Sequence, residues 1–198
     1  MIRIGLTGIS GSGKSYVTKI FDRYGIASVN SDAVVHALYG CKNPCTETLA
    51  RLFGNDILLS DHSIDRRKLS SIVFASKEKL QLLNHTVHPF VMDKIDIFAK
   101  EKESQGARAL LIEAPQLFEA GLDAYCDYVV SVIASHETRV ARLVIRDGIT
   151  KEMAEQRIAN QYEDSFFRER SDFCIENNSE DDLELQVHTL LNKIGLLP

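Results

Sequence analysis

The sequence predicts an α/β fold in which a parallel sheet is covered by helices on both faces, and three observations lead there. Short β-rich apolar runs recur at residues 2–7, 26–30, 107–112, 128–134 and 173–176, too short for helices and of the continuous kind that a sheet buried on both faces requires. Stretches of helical period separate them, the alternation expected of βαβ units. A glycine-rich turn joins the first run directly to the first helical stretch, the usual opening of a nucleotide-binding α/β domain.

Taken in order, residues 2–7 form the first strand, and Gly8-Ile9-Ser10-Gly11-Ser12-Gly13-Lys14-Ser15 follows at once. Tyr16, Val17, Ile20 and Phe21 then recur at helical spacing until Gly25 closes the helix. Residues 26–30 form a second strand ending at the polar trio Asn30-Ser31-Asp32. Residues 33–105 read as mainly helical, with breaks at 40–44, at Gly54-Asn55 and at 60–63. The alternation resumes with a third strand at 107–112, a fourth at 128–134, a charged helix at 136–146 and a second helix from Thr150 to about Glu163. A last strand at 173–176 and a helix at 181–193 complete the chain. The expected organisation is a core of 1–32, 106–135 and 165–198, a helical insertion of 33–105 and a lid of 136–164.

Composition narrows the class. Hydrophobic residues are 44% and charged residues 26% of the 198, close to the soluble globular average, which disfavours disordered, collagen-like and coiled-coil chains. The formal net charge of -5 repels a phosphodiester polymer, so nucleic acid is not an expected partner. No apolar run reaches the roughly 18 to 20 residues of a membrane helix, and residues 1–7 lack the apolar stretch of a signal peptide. A cytoplasmic protein without a membrane partner is therefore expected, as a monomer or small homo-oligomer. Cys41, Cys45, Cys126 and Cys174 are too scattered for a disulfide framework, and Cys41 and Cys45 have no second Cys/His pair nearby to complete a zinc site.

The loop from Gly8 to Ser15 is a complete Walker A pattern, G-x-x-x-x-G-K-S, between a strand and a helix. Its glycines let successive backbone N–H groups turn inward toward phosphate oxygens, and the helix N-terminus adds partial positive charge. Gly11, Ser12, Gly13, Lys14, Ser15 and Tyr16 are the expected nucleotide-binding residues, with Lys14 reaching the β- and γ-phosphates. The Ser15 hydroxyl is placed to ligate Mg²⁺, which makes ATP with Mg²⁺ the expected cosubstrate and cofactor. The fold is accordingly α/β of the P-loop type.

A Walker A loop does not name the acceptor of the phosphoryl group. Three acids lie near the carboxyl ends of predicted strands, where such folds bind ligands: Asp32, Glu113 and Asp147. Asp32 either takes a proton from an acceptor hydroxyl or caps the helix that follows, and the two roles are compatible. Glu113 ends the run Ala109-Leu110-Leu111-Ile112, as an acid of the Walker B kind does when it supports a metal. Arg139, Arg142 and Arg146 fall at i, i+3 and i+7 near one face of a helix. They either brace a transferring phosphoryl group, with Arg142 the preferred member, or form a solvated face paired with Glu137 and Asp147.

At this depth the chain resembles the dephospho-CoA kinases from Ile4 to about Asn178. The resemblance is carried by Leu6-Thr7-Gly8, Asn30-Ser31-Asp32, Phe53-Gly54, Ile64-Asp65-Arg66, His88-Pro89, Glu113-Ala114-Pro115-Gln116-Leu117-Phe118-Glu119, the R-x-x-x-R-D of Arg142 to Asp147, and Gln161, Asp172 and Asn177. It implies a P-loop kinase with a helical substrate-binding insertion and a lid, transferring the ATP γ-phosphate to the ribose 3′-hydroxyl of dephospho-CoA. The same resemblance implies Asp32 as base and Arg142 as a lid arginine. Arg66, His88, Pro115 and Gln161 would lie on the acceptor side, and Asn177 beside the adenine. His88-Pro89 also reads as a helix-breaking corner, and Arg66 as a partner of Asp65. Asn30, Gln116 and Ser179 depart from the family pattern, which has Asp, Leu and Gly there. Kinases of nucleosides or sugars and nucleotide-dependent regulators are the rival readings, and no guanine-type N-K-x-D motif occurs.

Overall fold

Ile4 and Leu6 face one side of the first strand and Gly5 and Thr7 the other, and a strand apolar or small on both sides must lie inside a sheet. In the computed structural model, which describes residues 1–178 and 183–197, β1 (Ile2–Gly8) is the central strand of a five-stranded sheet. With β2 (Ala27–Asn30), β3 (Ala109–Glu113), β4 (Tyr128–Ile133) and β5 (Phe173–Glu176), the order is β2-β3-β1-β4-β5. β1 runs parallel to β3, with Leu6 opposite Glu113, and parallel to β4, with Gly8 opposite Val132. β4 runs parallel to β5. Chain order reverses across β1, so the loop leaving it opens at the switch point where such sheets bind ligands.

The chain divides into two compact units, one of Met1–Val29 with Lys102–Pro198 and one of Asn30–Glu101. In the first, α1 (Lys14–Arg23) and α9 (Leu183–Lys193) cover one sheet face. Val17, Ile20 and Phe21 of α1 and Val187, Leu190 and Leu191 of α9 join Ile4, Leu6, Leu111, Val130 and Ile175 in one buried cluster. The opposite face takes Leu117 and Cys126, which approach so closely that a Cβ at Gly5 would stand 2.8 Å from the Cys126 sulfur. α6 (His136–Asp147) and α7 (Lys151–Ala159) form a hairpin with its own small core of Val140, Leu143, Ala154 and Ile158. The helix expected to run to about Glu163 ends at Ala159, where the chain turns, and a further short helix that the sequence did not suggest follows as α8 (Asp164–Arg170). β3 begins at Ala109 rather than 107 and includes Glu113, since pairing with Leu6 extends it there. The start of the last helix at 181 and the position of Ser179 lie outside the described residues.

The second unit is helical: α2 (Ser31–Tyr39), α3 (Pro44–Phe53), α4 (Arg66–Val73) and most of α5 (Lys77–Ser104). Asn43 starts α3 with a full capping box, accepting from the Thr46 amide while the Thr46 hydroxyl accepts from its own N–H, and Pro44 follows at the first helical position. One of the two readings of the His88-Pro89 pair fails at α5. The 28-residue helix continues through Pro89 instead of breaking at the His-Pro pair. Val87, Val91, Met92 and Ile95 anchor the buried side, whereas Pro89 and His85 lie on the exposed one, where water can serve the carbonyl that proline leaves without a donor. Cys41 and Cys45 are free thiols, one exposed and one buried, and burial pushes the Cys45 thiol up to about 11. Among the described residues no helix is long and apolar enough to cross a membrane.

Candidate active site

The strand-to-helix turn requires glycine, and Gly8 and Gly13 show why. Gly8 has φ of 139°, and a Cβ there would stand 2.3 Å from the Val132 carbonyl oxygen of the neighbouring strand. Gly13 has φ of 93° and would drive a Cβ to 2.1 Å from the Asn177 side-chain nitrogen. The loop is thus pressed between β4 and the segment after β5. Gly13 is also the N-cap of α1 and brings no capping side chain, so no N-cap side chain competes with a phosphate for the first-turn amides of the helix.

Around this turn the first unit gathers most of the expected site. Lys14 Nζ donates to the Gly8 carbonyl at 2.7 Å and to that of Ile9 at 3.3 Å, holding the ammonium over the loop. Ser15 Oγ lies 3.3 Å from Glu113 Oε1, and Thr18 Oγ1 lies 3.2 Å from Glu113 Oε2. Glu113 is 8% exposed. A buried carboxylate met by two hydroxyls at the end of β3 supplies hard oxygen donors of the kind Mg²⁺ takes. Among the described residues no group of three or more His, Cys, Asp or Glu could cage a metal. Thr7 Oγ1 donates to the Pro115 carbonyl at 3.3 Å, tying the segment after β3 to the end of β1.

The arginine face of α6 divides in three. Arg142 reaches the loop, its Nη1 3.3 Å from the Ser12 carbonyl and its Nη2 donating to Asn177 Oδ1 at 3.3 Å. Arg139 is 6% exposed and pairs at 3.5 Å with Asp164 of α8. Arg146 turns away to Asp147, which also takes Arg157. Those two guanidiniums hold the Asp147 carboxyl below its usual range, and its place at the far end of α6 removes it from the trio of strand-end acids. Asn177 is 2% exposed and ties its amide at both ends, donating from Nδ2 to the Ser12 carbonyl at 2.7 Å. Gln161 accepts from the Ser10 amide at 3.0 Å, so it lies against the phosphate loop. Tyr16 sits exposed in the first turn of α1.

Asp32, Arg66 and His88 belong to the second unit. Asp32 is exposed at the second position of α2 and is not its cap. Asn30 is, its Oδ1 accepting from the Ala33 amide at 3.0 Å, because the strand ends at Asn30 and its extended backbone suits the capping position. Arg66 opens α4, while Asp65 caps that helix by accepting from Arg67 and Lys68, so the expected Asp65–Arg66 pair gives way to a cap. The Arg66 charge acts on the buried Tyr39 hydroxyl, although burial dominates and raises that group. His88 keeps its Nε2 buried with no hydrogen-bond partner, and burial, followed by the neighbouring His85, lowers its affinity for a proton.

Thr18 is the site residue that motif reading passes over, yet its position three residues after Ser15 puts both hydroxyls on one helix face. The contacts of Asn177 and Gln161 with the loop carry no local signal, since 165 residues separate Asn177 from Ser12 and 151 separate Gln161 from Ser10.

A phosphate loop whose serine hydroxyl meets a buried strand-end acid and whose lysine is held over the loop, on this strand order, makes the molecule a P-loop kinase. Comparison with known proteins sharpens the class. The model of the family described as dephospho-CoA kinase matches residues 2–182, and the chain belongs to that family. A relative from Fusobacterium nucleatum named dephospho-CoA kinase is 38% identical over 176 residues, covering 89% of each chain. One of the same name from Corynebacterium glutamicum is 37% identical and covers 98% of each. Among solved structures, a Thermus thermophilus protein superposes with a TM-score of 0.80 at 28% identity, over 98% of this chain and 97% of its own.

Proposed function

We propose that the protein transfers the γ-phosphoryl group of ATP to the ribose 3′-hydroxyl of dephospho-CoA, giving CoA and ADP in the last step of CoA synthesis. The observation that carries the reading is the Ser15–Glu113 contact of 3.3 Å beside a complete Walker A loop, in a chain whose family model is that of dephospho-CoA kinase. Loop amides and Lys14 bind and orient the triphosphate in this reading, with the ammonium aimed at the oxygens on which charge develops. Mg²⁺, held through Ser15 with Glu113 behind it, offsets phosphate charge when bound. Arg142, fixed at the rim of the loop by Asn177 and the Ser12 carbonyl, adds a second cation and helps exclude water.

Asp32 is the base. An exposed carboxylate just beyond the carboxyl end of β2 accepts the proton of the acceptor hydroxyl and orients that oxygen for in-line attack. Arg66 and His88 serve the anionic acceptor within the helical unit, an insertion of 33–105, and the α6–α7 hairpin acts as the lid over 136–164. Pro115, held by Thr7, and Gln161 shape the acceptor side next to the loop. Asn177 holds the loop at the end where the base of the nucleotide would lie.

The direct test supplies ATP, Mg²⁺ and dephospho-CoA and follows ADP release together with the mass of the acceptor. ADP should form only when dephospho-CoA is present, with a mass gain of one phosphoryl group. Turnover with nucleosides or sugars and none with dephospho-CoA would overturn the reading.

A further inference from the structure

Glu113 meets a second hydroxyl that no Walker pattern contains. Thr18 Oγ1 is 3.2 Å from Glu113 Oε2, and it also lies 3.1 Å from the Lys14 carbonyl one helical turn back. A hydroxyl has one proton. If that proton pointed at the Lys14 carbonyl, a lone pair would face a carboxylate oxygen at hydrogen-bond distance. Donation to Glu113 is the charge-assisted choice and the stronger bond. The same reasoning applies on the other side, where Ser15 Oγ stands 3.3 Å from Oε1. Once the Ser15 proton goes to Glu113, the lone pairs of Ser15 point elsewhere, as ligation of a cation needs. The carboxylate can hold Ser15 in that sense only while its own plane is fixed, and Thr18 is the group that fixes the second oxygen. Thr18 is half-buried and its branched side chain sits on a helix, where rotamer choice is narrow.

We infer that Thr18 is a positioning residue for magnesium: through Glu113 it sets the proton of Ser15 inward and leaves the Ser15 oxygen free to ligate. The inference rests on the proposed ATP-dependent reaction. It is restricted to the first unit, in which Ser15, Thr18 and Glu113 all lie.

The test compares wild type with Thr18→Val, which keeps the shape and removes the hydroxyl, and with Thr18→Ser, which restores it. The readout is binding of a non-hydrolysable ATP analogue by calorimetry across a Mg²⁺ titration and again in EDTA, so no turnover is needed. Outer-shell partners of a metal ligand typically change its affinity about 10- to 100-fold, and Thr18→Val should weaken the apparent Mg²⁺ affinity of the complex by about tenfold at the lower end of that range. Binding in EDTA should stay within about twofold of wild type, and Thr18→Ser should recover most of the loss. An unchanged Mg²⁺ midpoint in folded Thr18→Val overturns the inference, as does an equal loss with and without Mg²⁺, which marks a merely structural residue. If wild type itself binds the analogue with no Mg²⁺ dependence, the magnesium reading of the site fails first and takes this inference with it.

Discussion

Asn177 closes over the phosphate loop through a 2.7 Å hydrogen bond from its side-chain nitrogen to the carbonyl of Ser12. Its oxygen accepts from Arg142, and its backbone N–H donates to the Ile133 carbonyl at 2.7 Å. One residue thereby joins the loop and the first turns of α6 through its side chain and the end of β4 through its backbone. Asn177→Ala leaves the Ser12 carbonyl without this donor in a buried setting, which should cost about 1–3 kcal/mol of stability. It also releases Arg142, so the affinity for ATP should fall as well. Urea unfolding and nucleotide titration check both, and wild-type values in each would show that the amide holds nothing in place.

Lys14→Ala removes the ammonium held over the loop by the Gly8 and Ile9 carbonyls. Deleting one group that stabilises transition-state charge typically costs about 100- to 1,000-fold in kcat, and at least that loss is expected here. The fold should persist, because the side chain contributes to none of the buried apolar clusters. Circular dichroism and steady-state kinetics separate the two effects.

Asp32→Asn should lower kcat by about 100- to 10,000-fold, the range typical of a lost general base, and leave ATP affinity close to wild type. Helix α2 should stay formed, since its cap is Asn30. A loss confined to ATP binding would move Asp32 from the acceptor to the nucleotide.

His88 makes a pH prediction whose sign is set by burial. Its folded-state proton affinity is lowered, first by desolvation and then by His85, so below the ordinary imidazole pKa of about 6.5 the unfolded chain binds more protons than the folded one. Its contribution is full above that pH and is lost as the pH falls through the window down to the lowered folded value. In thermal melts at about pH 5 and about pH 7.5, His88→Gln should therefore lose less stability on acidification than wild type. Equal losses would show that the buried Nε2 faces a partner when folded.

How much of this was legible depended on whether the cause was local. Gly8, Gly13, Lys14 and Ser15 could be read directly because strand, turn and helix signals lie within fifteen residues of one another. The acids at strand ends were legible as candidates, but only tertiary structure separates Glu113, held by Ser15 and Thr18, from Asp147, held by Arg146 and Arg157. Three cap-competent residues in a row, Asn30-Ser31-Asp32, made the α2 start ambiguous until the strand end fixed it at Asn30. α8 leaves no readable signal, because it is seven residues long and buries only Phe167, too little for a periodic pattern. At Pro89 local sterics argue for a break, while the packing of Val87, Val91 and Ile95 argues more strongly for continuity.

The small core between α6 and α7 has a thermodynamic consequence. Val140, Leu143, Ala154 and Ile158 pack with one another and not within the large cluster beneath the sheet. Separate apolar clusters allow separate opening equilibria, because loosening one need not expose the other to water. Amide protons of α7 should therefore exchange with solvent through sub-global openings, while those of β1 and β4 wait for global unfolding. Arg142 would then be carried by the element that opens more cheaply, and the phosphate loop by the one that does not.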